Sequence, residues 1–532
     1  MCLSLIFNFV LYYKIREMKN IGLLTLLAAT ILSFNVSGQD NQDALKSITA
    51  DELRDHIFFL ASDYLNGRVA ATDEYEIAAN YVAAQFMNAG LEPAVSLEDG
   101  SRSYFQGVPF ARTVFSDELK WTVTRSGEKR DFIHGKDFKV MFGNNMNHQD
   151  AGIAWVGYGI EEPGEDWNDF EGLDLSGKVI ICMSGAPEKN GKRVFRKEIH
   201  EKYTGQRGFQ SKIRPLFSKG AAAVILVDPS GSVGANFDQI PSSFAREKVV
   251  YKGDNSQRGM GSFPSIYMAD NGLVNFLMPG ADSDMGDVKP HIIKEASLSG
   301  SVEILKEDEV LSSNVIGMVP GTDPVLKDEY IVVGAHLDHV APSKGQVCNG
   351  ADDNASGSSG VMEVAEALAM NPCKRSVIFI TYTAEEKGLI GSRYFVDSEL
   401  FPKDKIKFNI NLDMIGRSSP DNEKSRAHYA VTHKKYVDQL EKFIADVNDG
   451  ITDFPIIVDN DEDSPGGSDH QTFIRQDIPA FFFFSGVHPD LHQPGDDADK
   501  IDYPKAEKVS RLTYLLACSL ANMEEVPDFL DK

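Results

Sequence analysis

The sequence predicts an α/β protein with a mixed, mostly parallel sheet sandwiched by helices and a small strand-rich domain inserted into it. Two observations lead to this fold class. Between residues 310 and 525, strand-like apolar runs alternate with helical stretches, as in sheets covered on both faces. Between residues 150 and 290, short apolar runs bounded by Gly and Pro predominate instead. A chain of 532 residues is long enough for more than one hydrophobic core.

Residues 1–38 are predicted to be a signal peptide, with translation starting at Met18. A charged start is followed by the apolar run Ile21–Phe34 and by small residues up to Gly38, which is the order of a secretory signal. We therefore expect an exported protein, periplasmic or extracellular, without a stable membrane span after cleavage. An uncleaved N-terminal anchor is the alternative, although no apolar run reaches the ~20 residues of a membrane-spanning helix.

Residues 39–149 are predicted to be an N-terminal helical part with connecting strands. Two helices are expected between residues 49 and 92, and Gly90 is placed to end the second. The apolar positions that recur at helical spacing in this second helix are Ala79, Val82, Ala83 and Phe86.

Residues 150–290 are predicted to form the inserted domain. Strands are expected over Ile153–Tyr158, Val179–Met183 and Ala221–Val227, with a helix over Ser211–Lys219. No cluster of His, Asp and Glu in this range indicates chemistry.

Residues 291–532 are predicted to form the α/β domain. Its expected strands are Tyr330–Ala335, Ser376–Tyr382, Phe408–Leu412 and Ala480–Phe484. Its expected helices are Ser356–Met370, Lys434–Val447 and Lys505–Ala521. Because ligands of open α/β sheets bind beyond the carboxyl ends of the strands, the chemistry is expected there.

The net charge argues against nucleic-acid binding, and the spacing of the cysteines excludes a zinc–thiolate site. The 53 Lys and Arg against 79 Asp and Glu give a net charge of −26, which repels phosphate backbones, so nucleic acid is not expected as a partner. The five cysteines lie far apart with no CxxC spacing, which excludes a zinc–thiolate site.

Polar side chains follow several of the predicted strands. His336 and Asp338 are two residues apart and point to the same side of an extended chain, so Asp338 can hold one ring nitrogen while the other binds metal. Asp352 and Asp353 stand at the start of a helix, where negative charge is also favoured by the helix dipole alone.

The remaining candidates are Glu385 and Glu386, Asp413, and His492. Adjacent glutamates face different directions, so one can bind metal while the other holds water. Each residue alone has an ordinary interpretation as a cap or a surface group. Together, two His and three carboxylates from separate strand ends suit zinc, and suit two ions if one Asp bridges them. The spare Glu is what metal-assisted hydrolysis needs for proton transfer.

The order of these motifs resembles a known family. HLD, GADDNASG, AEEKG, NLDM and H-x-P-x-D look like the signature of the co-catalytic zinc peptidases of family 28, which include bacterial aminopeptidases and relatives of glutamate carboxypeptidase. The resemblance covers residues 310–525, and residues 45–110, with the segment LASDYLNGR, are similar to the family's N-terminal helices. Residues 150–290 resemble a protease-associated domain. The implied fold is that of the zinc aminopeptidases.

The resemblance also implies roles for single residues. Asp353 would bridge two Zn²⁺ ions, with His336 and Asp413 completing one site and Glu386 and His492 the other. Glu385 would be the general base and acid for a zinc-bound hydroxide, and Asp338 a supporting catalytic residue. Three neighbouring predictions concern Asp352 as a supporting residue rather than a ligand, Ser468-Asp469-His470 as pocket structure that opens a helix, and Phe481–Phe484 as a buried strand rather than an aromatic pocket.

The implied function is an exported zinc-dependent aminopeptidase that acts on peptides with a free N-terminus. The closest alternative is a carboxypeptidase or dipeptidase of the same family, which would need a basic residue such as Arg393 or Arg417 near the metal. A single-zinc enzyme like glutaminyl cyclase and a non-catalytic binding protein are further alternatives. The insert is expected to restrict which substrates enter, and a passive spacer or docking module is the alternative.

Overall fold

The fold is taken from a computed structural model of the chain. It describes residues 42–529 apart from short gaps at 144–145, 190, 205–207, 229–236, 238–241, 243, 245, 254–264, 282–284, 344 and 461–466. The signal peptide predicted over residues 1–38 lies outside this range. Among the described residues, we find no helix with the length and apolar character that crossing a bilayer requires.

Ten α-helices of the described residues are numbered here in chain order. They are α1 Ala50–Leu60, α2 Asp73–Asn88, α3 Lys197–Thr204, α4 Gly208–Ser218, α5 Asn271–Leu277, α6 Gly357–Met370, α7 Ile390–Asp397, α8 Val437–Val447, α9 His470–Ile474 and α10 Tyr503–Asn522.

The strands are numbered in chain order. The first half comprises β1 Glu92–Pro93, β2 Val95–Ser96, β3 Arg102–Ser103, β4 Phe105–Phe115, β5 Lys120–Arg125, β6 Glu128–Ile133, β7 Phe138–Phe142, β8 His148–Trp155, β9 Glu161–Glu162, β10 Trp167–Asn168, β11 Val179–Met183 and β12 Glu188–Lys189. The second half comprises β13 Lys192–Arg193, β14 Ala223–Val227, β15 Glu247–Tyr251, β16 Ser265–Ala269, β17 His291–Ser301, β18 Ile304–Val319, β19 Tyr330–His336, β20 Ser376–Tyr382, β21 Ile406–Leu412, β22 His428–Thr432, β23 Ile456–Asn460 and β24 Ala480–Phe484.

The chain folds into two compact units. Unit 1 joins the chain up to Pro109 with the chain from Leu311 onward, and unit 2 is Phe110–Val310. The predicted limits of the insert, 150–290, are therefore too narrow. Strands β5, β6 and β7 on one side and β17 on the other belong to the sheet of unit 2. Alternating apolar residues identify a strand but do not say which sheet it joins, so the sequence placed these strands outside the insert.

Unit 1 contains a mixed sheet whose centre is parallel. Its strands follow the order β18, β20, β19, β21, β24, β22, β23. The four central strands β20, β19, β21 and β24 run parallel, and β18 and β22 pair antiparallel to β20 and β24. Helices α6 and α10 pack against the central strands, and α9 packs against β21 and β24. This is the mixed α/β sheet that the sequence predicts.

Unit 2 has a sheet of eight strands and a core of its own. The order is β6, β5, β17, β8, β11, β14, β16, β7, with β8, β11, β14 and β16 parallel. Every residue of Val179–Met183 and of Ala223–Val227 is buried. Their continuous apolar runs are typical of strands covered on both faces.

The N-terminal helices form where the sequence places them. Helix α2 begins after Thr72, whose side chain accepts the Tyr75 N–H, and acidic residues fill its first turn. It ends before Gly90, which has φ +83°. The four predicted apolar positions of α2 are buried in the core of unit 1.

The buried Arg68 connects this N-terminal segment to loops at residues 337–350, which come after unit 2 in the sequence. Its guanidinium donates to the carbonyls of Leu337 at 2.9 Å, Asn349 at 2.7 Å and Gly350 at 3.0 Å, and also to that of Leu60. Leu337 and Gly350 flank the loop segments that carry the predicted site. The N-terminal segment is thus part of the frame of that site.

Candidate metal centre

His336 is the last residue of β19 and is buried at the carboxyl end of the sheet. Its Nδ1 lies 3.0 Å from the carbonyl oxygen of Asp338. An Nδ1–H donated to that carbonyl leaves the lone pair on Nε2, which is the tautomer that binds metal. Nε2 lies 3.3 Å from both Asp353 Oδ1 and Asp413 Oδ1.

The carboxylate of Asp338 lies 3.9 Å from His336 Nδ1, farther than the Asp338 carbonyl oxygen, and its Oδ1 accepts the backbone N–H of Glu385 at 2.9 Å. Its predicted role in holding the His336 ring stays a prediction. Through the bond to Glu385, Asp338 positions the segment that carries Glu385 and Glu386.

The loop before α6 is held by Asp496, the last residue of the H-x-P-x-D motif. The Asp496 carboxylate accepts the backbone N–H groups of Asp352 at 3.1 Å and Asp353 at 3.0 Å. Asp352 accepts the Gly416 N–H at 2.7 Å and lies outside the metal-binding groups described below. It acts as a support for the loop, as the sequence predicts.

The predicted metal ligands converge on two groups that share Asp353. In each group the candidate ligand atoms all lie within 4.8 Å of one another. The first group is His336, Asp353 and Asp413, and the second is His339, Asp353, Glu386 and His492. All five predicted ligands are therefore brought together, each from a different strand end or loop. Their role as ligands remains a prediction.

His339 is the member of these groups that the sequence analysis missed. It is fully buried, and its Nδ1 lies 3.2 Å from Glu386 Oε1 and 3.5 Å from Asp353 Oδ2. His492 Nε2 lies 3.1 Å from the same two oxygens. The available signal was a second His within the segment His336-Leu337-Asp338-His339.

The donor set fits zinc, because buried polar atoms in it have no other partner. Among the described residues, both ring nitrogens of His339 and Oε1 of Glu386 are buried without a hydrogen bond of good geometry. An unsatisfied buried polar group costs about 1–3 kcal/mol, so such a cluster points to a missing ligand. Imidazole nitrogens and carboxylate oxygens are what zinc prefers.

Neighbouring groups of opposite charge raise the pKa of His492 and lower the pKa of Asp353, so that both charged forms are favoured. Close contacts with the carboxylates of Asp353 and Glu386 raise the pKa of His492 to about 10. Burial opposes ionisation of Asp353, but His339, His336 and His492 outweigh it and hold its pKa well below the usual range. A metal ion bound here would take the place of the proton on His492.

Glu385 differs from its neighbours. Burial, followed by the charges of Asp469, Asp413 and Glu386, raises its pKa well above the ordinary value, against the opposing effect of His336. Burial also raises the pKa of Asp338 to about 6. A carboxyl group with raised pKa is suited to accept and return a proton near neutral pH.

Three non-glycine residues beside the candidate ligands adopt left-handed backbone conformations. Ala384 has φ +54°, Met414 φ +58° and His492 φ +54°. Such positions cost of order 1–3 kcal/mol each and cluster at functional sites, where the surrounding structure holds them. The loops therefore have a fixed course at the points where they present Glu385, Asp413 and His492.

A cavity of about 410 Å³ opens onto both groups. Its apolar wall includes Leu389, Met414, Phe482, Phe484 and Leu491. The prediction for Phe481–Phe484 is thus only partly right. The segment is strand β24, with Phe481 and Phe483 in the core of unit 1, but the alternating residues line the cavity. Leu491 shapes the wall beside His492.

The segment Ser468-Asp469-His470 lies where the sequence predicts it. Helix α9 begins at His470, and Asn411 donates to Ser468 Oγ at 2.9 Å. Asp469 and His470 belong to neither metal-binding group.

Comparison with known proteins supports the resemblance in the catalytic half of the chain. Residues 314–517 match the model of Peptidase family M28. Leucine aminopeptidase 2 of Trichophyton equinum is 34% identical over 185 residues, which cover 33% of this chain and 34% of that protein. Aminopeptidase YwaD of Bacillus subtilis is 30% identical over 233 residues, which cover 42% of this chain and 47% of that protein. The matches thus span between a third and a half of these relatives.

Two solved structures share the fold over most of the chain. An aminopeptidase from Aneurinibacillus sp. strain AM-1 aligns with a TM-score of 0.54 and 22% identity, covering 92% of this chain and 97% of that one. BSAP, a zinc aminopeptidase from Bacillus subtilis, aligns with a TM-score of 0.53 and 20% identity, covering 90% and 97%. All residues of the two metal-binding groups lie within residues 314–517, the range that matches the family. Residues 314–517 form a peptidase family M28 domain.

Proposed function

We propose that this protein is a zinc-dependent aminopeptidase that removes N-terminal residues from peptides by hydrolysis. The observation that carries the proposal is the pair of metal-binding groups that share Asp353 at the end of an open cavity. In the first group Asp353 would be joined by His336 and Asp413, and in the second by Glu386 and His492. Zinc ions held in this way supply a Lewis acid for the peptide carbonyl and lower the pKa of bound water toward ~7.

Glu385 is proposed as the group that moves protons. It lines the cavity beside the first and second groups, and its backbone N–H is held by Asp338. With its raised pKa, Glu385 takes a proton from the attacking water and delivers it to the leaving amine. Asp338 and Asp496 keep the segments with Glu385 and Asp353 in place.

The charge of the cavity favours aminopeptidase over carboxypeptidase activity. The described residues that line the cavity include Glu385, Glu386 and Asp413 but no Lys or Arg. Arg417, one of the two basic residues considered above, pairs with Asp490 at 2.9 Å. Without a cationic side chain in its lining, the cavity offers no side chain that would bind the terminal carboxylate of a carboxypeptidase substrate.

The apolar wall of the cavity indicates which N-terminal residues a substrate would carry. Leu389, Met414, Phe482, Phe484 and Leu491 can contact an apolar side chain bound beside the metal-binding groups. The relatives named leucine aminopeptidase agree with a preference for apolar N-terminal residues. Export of the protein and a protease-associated character of unit 2 remain parts of the same proposal.

The proposal is tested with zinc-loaded protein and three matched substrates. Leucyl-p-nitroanilide should be cleaved, N-acetyl-leucyl-p-nitroanilide should not, and a peptide with a blocked N-terminus and a free C-terminus should stay intact. Cleavage of the last substrate alone would replace the proposal by the carboxypeptidase alternative. Cyclisation of an N-terminal Gln peptide, with one zinc ion per chain, would favour the glutaminyl cyclase alternative.

A further inference from the structure

His339 is a buried imidazole that the proposed function leaves unused. It is 1% exposed and lies three residues after the end of β19. Among the described residues, neither ring nitrogen has a hydrogen-bond partner of good geometry. A neutral imidazole buried in this way forfeits both its donor and its acceptor, so the structure must offer it another partner.

The ring is aimed at the second metal-binding group. Its Nδ1 lies 3.2 Å from Glu386 Oε1 and 3.5 Å from Asp353 Oδ2, whereas His492 Nε2 lies 3.1 Å from both oxygens. Ligand atoms of a tetrahedral zinc site with bonds of ~2.0–2.1 Å are about 3.3 Å apart. The spacing of His339 Nδ1 from the two oxygens is therefore that of a ligand atom.

The backbone makes room for this ring at one glycine. Gly350 has φ +57°, and a Cβ atom added there would lie 2.5 Å from Cγ and 2.6 Å from Cδ2 of His339. The carbonyl of Gly350 is also held by Arg68. The ring of His339 is thus enclosed by a fixed loop and points toward Glu386 and Asp353.

We propose that His339 Nδ1 is a fourth protein ligand of the second ion, beside Asp353, Glu386 and His492. This inference rests on the two-ion site of the proposed function. It makes the two ions unequal. Three protein ligands leave a position open at the first site, whereas four close the second site, as in structural zinc sites. The first site, formed by His336, Asp353 and Asp413, then offers the open position for water and substrate.

The competing role for His339 is a hydrogen bond that only orients Glu386. His339→Asn separates the two roles, because the amide nitrogen of Asn sits near the place of Nδ1 and still donates a hydrogen bond. Asn is not among the usual zinc ligands. Loss of an outer hydrogen-bond partner typically lowers metal affinity by ~10–100-fold, and loss of a ligand should exceed that range.

The measurement is zinc affinity by competition with a chelator of known strength, with ions per chain counted by atomic emission. The wild-type protein should bind two ions, and His339→Asn should keep one while its affinity for the other falls by more than ~100-fold. His428→Asn is the control, because His428 is equally buried and unpartnered but lies outside both groups. It should bind two ions as the wild-type protein does.

Failure of this inference can be distinguished from failure of the proposed function. A His339→Asn protein that binds two ions within ~100-fold of the wild-type affinity overturns the inference and leaves the proposed function intact. A wild-type protein that binds a single ion contradicts the two-ion site itself. X-ray absorption of the zinc-loaded wild-type protein tests the inference without any variant. It should find three imidazole ligands over the two ions, and finding two would overturn it.

Discussion

The two units treat buried charge in different ways. In unit 2, the buried Lys212 donates from Nζ to the carbonyls of Tyr158 and Met183, both at 2.8 Å, and the buried Asp169 accepts the Ile160 N–H at 2.9 Å. In unit 1, by contrast, both ring nitrogens of His339 and Oε1 of Glu386 are buried without such bonds. Buried polar groups that are satisfied serve the fold, whereas a convergent set that is not satisfied indicates a ligand.

One pKa from each unit illustrates this difference. In unit 2 burial dominates and lowers the pKa of Lys212 to about 8. In unit 1 the contacts with Asp353 and Glu386 dominate and raise the pKa of His492 to about 10. Both candidate metal-binding groups lie in unit 1, and the described residues of unit 2 contain no group of three or more potential metal ligands.

The strongest test of this contrast removes one buried carboxylate from each unit. Asp353→Ala should lose both ions and with them all hydrolytic activity, because this side chain belongs to both groups. Asp169→Asn should keep its full zinc content, although it alters a buried hydrogen bond in unit 2 and so lowers the stability of the protein. Zinc per chain after dialysis is the measurement. Retention of either ion by Asp353→Ala would show that the bridge is placed wrongly.

Glu385→Gln separates proton transfer from metal binding. The variant keeps the shape of the side chain but cannot accept a proton, so kcat should fall by ~10²–10⁴-fold. Zinc content should not change, because Glu385 belongs to neither metal-binding group. Steady-state rates on leucyl-p-nitroanilide are compared with metal content for the same preparations. Activity within a few-fold of the wild-type enzyme would remove Glu385 from the mechanism.

Zinc should stabilise unit 1 selectively. An ion that binds only the folded state at one hundred times its Kd stabilises by about 2.7 kcal/mol, equivalent to about 100-fold slower exchange through unfolding. Amide hydrogen exchange with and without zinc should show this protection for peptides from β19 to β21. Peptides from Val179–Met183 and Ala223–Val227 in unit 2 serve as the internal control. Equal protection of peptides from both units would contradict selective stabilisation of unit 1 by zinc.

His428 is a buried imidazole of unit 1 that lies outside both metal-binding groups, and it should make stability depend on pH. Burial, and then the charge of Lys505, lowers its pKa well below the usual range. The folded protein keeps His428 neutral while the unfolded chain takes up a proton below pH ~6.5, so stability falls as the pH drops through that value. The loss approaches about 1.4 kcal/mol per pH unit. The free energy of unfolding is measured with urea at pH 7.5, 6.5 and 5.5. It should fall less steeply with decreasing pH for His428→Asn than for the wild-type protein, and an equal fall for both proteins would refute this.

Removal of unit 2 should have the smallest effect on the metal centre. Gly107 lies against Leu311, since a Cβ atom added to Gly107 would be 3.1 Å from Leu311 Cδ1. A short Gly/Ser linker can therefore replace residues 110–310. The two ions should remain, because all candidate ligands lie beyond residue 330. If unit 2 restricts substrate entry, the ranking of peptides by length should change several-fold, and an unchanged ranking would favour a passive spacer.

Strands were the most predictable part of the fold. Val179–Met183, Ser376–Tyr382 and Ala480–Phe484 have the bounds that the sequence indicates, because strands buried on both faces are continuous apolar runs. The limits of the insert were not predictable. Strands such as β5 and β17 pair with each other across more than a hundred residues, and nothing in their own sequences specifies that pairing.

In the site, the strand-end rule brought five residues together but gave no account of the turns between them. The course of the chain after β19 brings the Asp338 carbonyl oxygen closer to His336 Nδ1 than the Asp338 carboxylate. The same turn carries His339 into the second group. The contribution of Arg68 depends on contacts with residues 337–350, which are remote in sequence. Such contacts leave no local pattern to detect.

The bonds of Arg68 also bear on how the protein responds to a proteolytic nick. The guanidinium and its acceptors Leu337, Asn349 and Gly350 belong to one unit but lie on opposite sides of Phe110–Val310 in the chain. A single cut within that range would leave both resulting fragments anchored in the same hydrophobic core. The fragments should stay associated through purification and separate only in denaturant, so two bands on a denaturing gel would not by themselves mean a dismantled metal centre.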